Sequence, residues 1–140
     1  MVKETIAYTD FDGNSRKEDF WFHLSRAELI AWDIEAEGGI QATINRMISE
    51  QDARRLATMV KDIILRAYGE KSIDGRRFKK SEELRESFEQ SEAFSTLYLD
   101  LLGDAEKCAK FINNILPNEI TSSPEYKAQY ENEMAKLTNG

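Results

Sequence analysis

Thr5-Ile6-Ala7-Tyr8-Thr9-Asp10-Phe11-Asp12-Gly13-Asn14, followed by Asp19-Phe20-Trp21-Phe22-His23-Leu24, is the stretch on which the fold turns. Two short runs rich in β-branched and aromatic residues flank a segment of turn residues. Asp-Gly and Asn there supply the positive φ angles that a tight hairpin needs. On the second run Phe20, Phe22 and Leu24 share one face and belong to a core. Asp19, Trp21 and His23 share the other, where Trp21 is expected to be partly exposed. The chain therefore starts with a β-hairpin over residues 1–24.

Outward from Leu24 the grammar becomes helical. Ser25-Arg26-Ala27-Glu28 reads as a capping box, hydroxyl and carboxylate each satisfying a free amide of the first turn. Leu29, Ile30 and Ile34 supply that helix with apolar residues, Trp32 lies off its main stripe, and Gly38-Gly39 stops it. Ile40, Ile44, Met47 and Ile48 recur at helical spacing and predict a second helix. Asp52 caps a third, lined by Leu56, Met59, Val60, Ile63, Ile64 and Ala67, with Gly69 expected as its left-handed terminator.

Lys71 to Lys80 is a polar connector whose Asp74-Gly75 turn suggests a second small hairpin ending at Phe78. Ser81 caps a helix bearing Leu84 and Phe88. Ser91 caps another, with Phe94, Leu97, Tyr98, Leu101 and Leu102 inward and Gly103 at its end. Asp104 caps the last, with Cys108, Phe111, Ile112, Ile115 and Leu116. The expected fold class is α+β, mostly α: an N-terminal β-hairpin and a compact bundle of about six helices over residues 25–117. Residues 1–117 form one globular domain in this reading, closed by Pro117. Residues 118–140 form a polar tail, weakly helical or mobile, whose stripe of Tyr126, Tyr130, Met134 and Leu137 is too thin for a core of its own.

Composition agrees with a globular chain. The 140 residues are 41% hydrophobic and 32% charged, with a net charge of -7, and such a length buries enough surface to fold without staples. The negative charge repels phosphate backbones. The one basic run, Arg76-Arg77-Phe78-Lys79-Lys80, is followed at once by Glu82, Glu83 and Glu86, so a nucleic-acid partner is not expected. No apolar run is long enough to span a bilayer, and Met1-Val2-Lys3-Glu4 opens no signal-peptide core, so neither membrane nor secretion is expected. A single cysteine, Cys108, excludes an intramolecular disulfide and fits a reducing cytosol.

Candidate chemistry is sparse. Asp10-Phe11-Asp12-Gly13-Asn14 is similar to the first motif of haloacid-dehalogenase-type phosphatases, whose first Asp attacks phosphorus and whose second protonates the leaving group. That family sets the motif after a hydrophobic parallel strand, whereas the run before Asp10 is half polar and an alternating strand follows. No later paired-aspartate metal motif appears, and the hairpin turn explains the residues better. Asp10, Asp12 and Asn14 do not fit a calcium loop either, since the glycine is misplaced and no closing Glu follows. His23 and Cys108 act as base and nucleophile only if the hairpin meets the last helix. Structural roles are expected for both. No metal, cofactor or catalytic residue is predicted.

Three stretches together carry a family likeness: Tyr8–Gly13 through Asp19–Leu29, Ala67–Ser72 continuing to Asp74–Phe78, and Phe88–Phe94 followed by Ala109–Asn113. Over about residues 4 to 117 the chain resembles the tail assembly chaperones of long-tailed (siphovirus-type) bacteriophages and prophages. The resemblance implies a non-catalytic protein of the host cytoplasm, absent from the mature virion. It would bind the tape measure protein, help recruit tail tube protein, and in many such cases exist also as a longer frameshifted form. Self-association is left open. Trp21 and Trp32, both read as surplus to the core, are the expected partner-binding residues, since large aromatics carry much of the energy at interfaces. The rival readings are a small regulatory adaptor or inhibitor of a host protein, and a phosphatase-like enzyme using Asp10 and Asp12.

Overall fold

Alternation along the first strand sets the inside and outside of the protein. In β1, Val2–Thr9, Ile6 is buried and Val2, Glu4 and Tyr8 are half-buried, while Lys3, Thr5, Ala7 and Thr9 are exposed. The computed structural model describes residues 1–35, 39, 42, 43, 46 and 49–115. In it β1 pairs antiparallel with β2, Ser15–Phe22, from Val2↔Phe22 to Thr9↔Ser15.

The turn between them is the expected one. Asp10 N donates to Asn14 O at 2.9 Å and Gly13 N to Asp10 O at 3.0 Å, with Gly13 at φ 84. This is a three-residue hairpin loop closed by a bulge at a left-handed glycine. Gly13 alone supplies the positive φ. Asn14, expected to share that duty, does not.

The described residues divide into two compact units, Met1–His23 with Ala57–Ile115, and those within Leu24–Leu56. In the second, the capping box forms as read: Glu28 N donates to Ser25 Oγ at 3.1 Å and Ser25 N to Glu28 Oε1 at 3.0 Å. The helix it starts, α1, Arg26–Glu35, buries Leu29 and Trp32 and leaves Ile34 60% exposed. The expected stripe is thereby corrected. At about 100° per residue, Trp32 lies about 60° from Leu29 around the helix and Ile34 about 140° away, so Trp32 shares the buried side. The predicted helix of Ile40, Ile44, Met47 and Ile48 lies outside the described residues, as do Gly38, Leu116, Pro117 and the tail with Tyr126, Tyr130, Met134 and Leu137. Asp52 caps α2, Ala53–Ala67, accepting from Arg55 N at 3.1 Å.

From Ala57 onward α2 belongs to the first unit, where Val60, Ile63, Ile64 and Ala67 are buried along one face as the spacing predicted. It passes straight into β3, Tyr68–Lys71. Gly69 is therefore a strand residue, not a left-handed helix terminator. A Cβ there would meet Phe78 Cε2 at 2.6 Å and Lys79 O at 2.7 Å, so the glycine serves a close approach of backbone and ring. β3 pairs with β2 at Trp21↔Gly69 and Phe22↔Tyr68, and with β4, Phe78–Lys79, at Glu70↔Lys79 and Lys71↔Phe78. The suggested second hairpin thus exists, with Gly75 at φ 74 in its turn. It does more than expected, because it completes a four-stranded antiparallel sheet in the order β1-β2-β3-β4.

Three helices follow: α3, Glu82–Glu89, α4, Glu92–Gly103, and α5, Ala105–Ile115. Ser81 Oγ accepts from Leu84 N at 3.1 Å, Ser91 Oγ from Phe94 N at 3.4 Å and Asp104 Oδ1 from Lys107 N at 3.1 Å, so all three predicted caps form. The class is α+β with an N-terminal hairpin, as expected. Five helices, rather than about six, stand among the described residues.

Aromatic side chains bind the inner sheet face to these helices. Phe88 stacks on Tyr68 at 4.3 Å and meets Phe20 at 5.3 Å, and Phe22 meets Phe111 edge-on at 5.3 Å. Leu101 is buried as expected, whereas Leu102, also predicted inward, is exposed. Adjacent helix residues point about 100° apart, and only one can follow Leu97 and Phe94 into the core. Lys80 pins the end of β2 to the end of α2: its Nζ donates to His23 O at 2.7 Å and to Arg66 O at 2.8 Å.

Candidate functional site

Trp21 stands on the outer face of the sheet because β2 alternates. Phe20 and Phe22 turn toward the helices, so the residue between them must turn away. Its neighbours across the ladder are Lys3 on β1 and Gly69 on β3. The glycine offers no side chain, so the indole is flanked on that side by Lys71, two residues farther along β3 and on the same face. Lys3 Nζ and Lys71 Nζ lie 5.8 Å and 5.7 Å from the ring centroid, within the range at which an ammonium is attracted to the ring's electron-rich face. The half-buried indole thus sits between two cations.

Beside Trp21 the sheet opens. β2 and β3 are paired only at their Trp21 and Phe22 end. The remaining length of β2 keeps its partner β1 and, among the described residues, has none on the other side. The gap is a notch of about 450 Å³ lined by Glu18, Asp19, Phe20, Trp21, Tyr68, Gly69, Glu70 and Lys71. Glu18 accepts from Tyr8 Oη, and Asp19 accepts from Thr5 Oγ1 at 2.6 Å. Glu70 forms no ion pair among the described residues. Burial of Tyr68 pushes its phenol above the ordinary range, so it remains a neutral hydrogen-bonding group.

The two tryptophans expected to bind a partner separate clearly. Trp21 presents ring area at the notch. Trp32 is only 7% exposed. Sequence reading missed Lys3, Tyr68, Gly69, Glu70 and Lys71 as neighbours of Trp21. The β2–β3 pairing that gathers them is non-local, and no spacing within either strand announces it.

The residues weighed for chemistry are engaged otherwise. Asp10 Oδ1 accepts from Asp12 N at 3.0 Å and Asn14 N at 2.9 Å, and its Oδ2 accepts from Arg16 Nε at 2.5 Å. The guanidinium holds this carboxyl below its usual range. Its lone pairs brace the turn, so it is poorly placed as a nucleophile. Burial pushes the Cys108 thiol up, which disfavours the reactive thiolate. His23 meets the ring of Phe78 edge-on at 6.0 Å. Among the described residues no group of three or more His, Cys, Asp or Glu side chains could hold a metal ion, and no helix is long and apolar enough to cross a membrane.

Apolar side chains are exposed at the apex of both hairpins: Phe11 is 77% exposed and Ile73 fully so, each followed by an Asp-Gly pair. Leu99 and Leu102 add exposed apolar area on α4.

Comparison with known proteins adds one finding. The sequence profile of a family described as "phage tail assembly chaperone" matches residues 1–139. No curated protein and no solved structure matches the chain.

Proposed function

Because this chain belongs to the family of phage tail assembly chaperones, we propose that it binds the tape measure protein, keeps that long apolar helix soluble, and assists recruitment of tail tube protein around it. The family match, which runs over 1–139, carries the reading. The action is non-catalytic and takes place in the host cytoplasm, and the protein does not remain in the mature virion. Apolar helix left uncovered in water drives self-association at roughly 25 cal/mol per Å². A chaperone opposes this by covering that surface while its own charge, -7 here, keeps the complex dispersed.

Trp21 is the proposed contact residue, whereas Trp32, only 7% exposed, is assigned to packing. The exposed apolar residues Phe11, Ile73, Leu99 and Leu102 support a binding role for the protein, since apolar side chains held in water on several elements suit a chain that covers another.

Co-expression tests the reading. A tape measure protein from the same genome should be insoluble alone, and should become soluble and co-purify when the two are made together. A tape measure protein that stays insoluble in the presence of this chain, with no complex recovered, would sink the proposal.

A further inference from the structure

The notch beside Trp21 has a backbone chemistry that its side chains do not reveal. The Asp10–Asn14 main-chain bond fixes which pairs of the β1–β2 ladder are hydrogen-bonded. By alternation these are Tyr8/Arg16, Ile6/Glu18 and Glu4/Phe20. The N–H and C=O groups of Lys17 and Asp19 therefore point away from β1, into the gap. On the opposite wall, Ser72 N donates to Arg77 O at 2.8 Å. By the same alternation Glu70 bonds β4, and the main-chain groups of Lys71 point back toward β2. Among the described residues both walls thus offer unpaired strand edge, and β2–β3 pairing stops at Trp21↔Gly69.

We infer that the notch between β2 and β3 receives an extended, basic segment of a partner protein, which adds there as a strand. Main-chain bonds to Lys17, Asp19 and Lys71 would supply affinity, and side-chain contacts specificity. The volume, about 450 Å³, lies within the roughly 300–1,000 Å³ typical of ligand clefts. Charge selects the occupant: three carboxylates, Glu18, Asp19 and Glu70, line the gap against one ammonium, Lys71. Alternate residues of the added strand would lie beside Phe20 and Tyr68 on the inner side and beside Trp21 on the outer. The inference rests on the proposed partner-binding role of Trp21. It specifies an extended segment, rather than a helix, as what that site takes.

The probe is a labelled peptide, acetyl-Thr-Val-Lys-Val-Arg-Val-Thr-amide, with a counterpart carrying Glu in place of Lys and Arg, titrated against the full chain. The basic peptide should bind at least about tenfold more tightly, and its binding should slow hydrogen exchange of the Lys17, Asp19 and Lys71 amides. Glu70→Lys should weaken it by about tenfold. Asp19→Pro, which removes an N–H facing the gap and not the ladder, should abolish it. If Asp19→Pro unfolds the protein, Glu70→Lys and the exchange data decide. Equal binding of both peptides, no binding up to about 1 mM, or binding without protection of those amides overturns the inference. So does a dimer, seen by sedimentation, that Asp19→Pro dissociates, since a second copy would then be the occupant. Co-purification with the tape measure protein separates the two levels. If Glu70→Lys and folded Asp19→Pro retain that complex undiminished, the chaperone reading stands and the notch is not its site. If the unmutated protein forms no such complex but the peptide results hold, the chaperone reading fails and the notch remains.

Discussion

The backbone of Gly69 and the ring of Phe78 occupy adjoining space with none to spare: a Cβ on the glycine would stand 2.6 Å from Phe78 Cε2, and 2.7 Å from Lys79 O. The ring can turn, but the carbonyl belongs to β4 and cannot move without disturbing the β3–β4 ladder. Gly69→Ala is expected to destabilise the protein by about 1–3 kcal/mol, the usual scale of overpacking. Gly103 is the control. A Cβ there would meet nothing within 4 Å, and its φ is not positive, so Gly103→Ala should be neutral or stabilise by up to about 1 kcal/mol. Urea denaturation of the two variants checks the contrast.

Lys80 holds two main-chain carbonyls, His23 O and Arg66 O, at 2.7 Å and 2.8 Å. Lys80→Met keeps most of the stem and removes the donors. A loss of about 1–3 kcal/mol is expected, because both partly buried acceptors lose a charged partner. Chemical denaturation gives the value, and a loss below about 0.5 kcal/mol would show that the pin is dispensable.

Asp10 and Asp12 are expected to differ as turn residues. The Asp10 carboxylate accepts from two turn amides and from Arg16, and its pKa is held below the ordinary value chiefly by Arg16. A depressed pKa contributes stability that is present above the unfolded value and is lost as pH falls through the folded one. Asp10→Ala should therefore lower the melting temperature at pH 7 more than Asp12→Ala does. The deficit against the unmutated protein should shrink below about pH 4, the ordinary range of an aspartate. Metal-dependent phosphatase activity abolished by either substitution would instead mark the pair as catalytic.

Glu4 carries the opposite sign. It lies on the inner side of β1, and burial raises its carboxyl, opposed by nearby Lys107 and reinforced by Asp100. A raised folded pKa contributes stability that is full below the unfolded value and is lost as pH rises through the folded one. Glu4→Gln should thus melt higher than the unmutated protein at pH 7, with the difference closing as pH falls to about 4. Melting curves across that range test it.

The tryptophans should respond differently to removal. Trp32→Ala empties a buried site and is expected to cost about 3–5 kcal/mol. Trp21→Ala should leave the circular dichroism intact and weaken or abolish the proposed complex with the tape measure protein. Unfolding of Trp21→Ala would return that ring to the core.

Features whose partners lie within a few residues could be read directly from the order of amino acids. The Ser25–Glu28 box, the caps at Asp52, Ser81, Ser91 and Asp104, the Gly13 and Gly75 turns and the buried face of α2 all form as read. Each is settled by hydrogen bonds or side-chain spacing inside one turn or one helix. The family likeness, too, is legible in residues alone. Whatever depends on a distant partner was settled only by the folded chain. Gly69 reads as a helix end until β2 and β4 close on either side of it as strands. Trp32 and Ile34 exchange their expected places because a helical stripe is defined by what covers it. Trp21 gains Lys3, Lys71 and the notch only when β3 pairs with β2 and then leaves it for β4. The free energy of such pairings comes from surfaces far apart in the chain, and no local pattern encodes which two will meet.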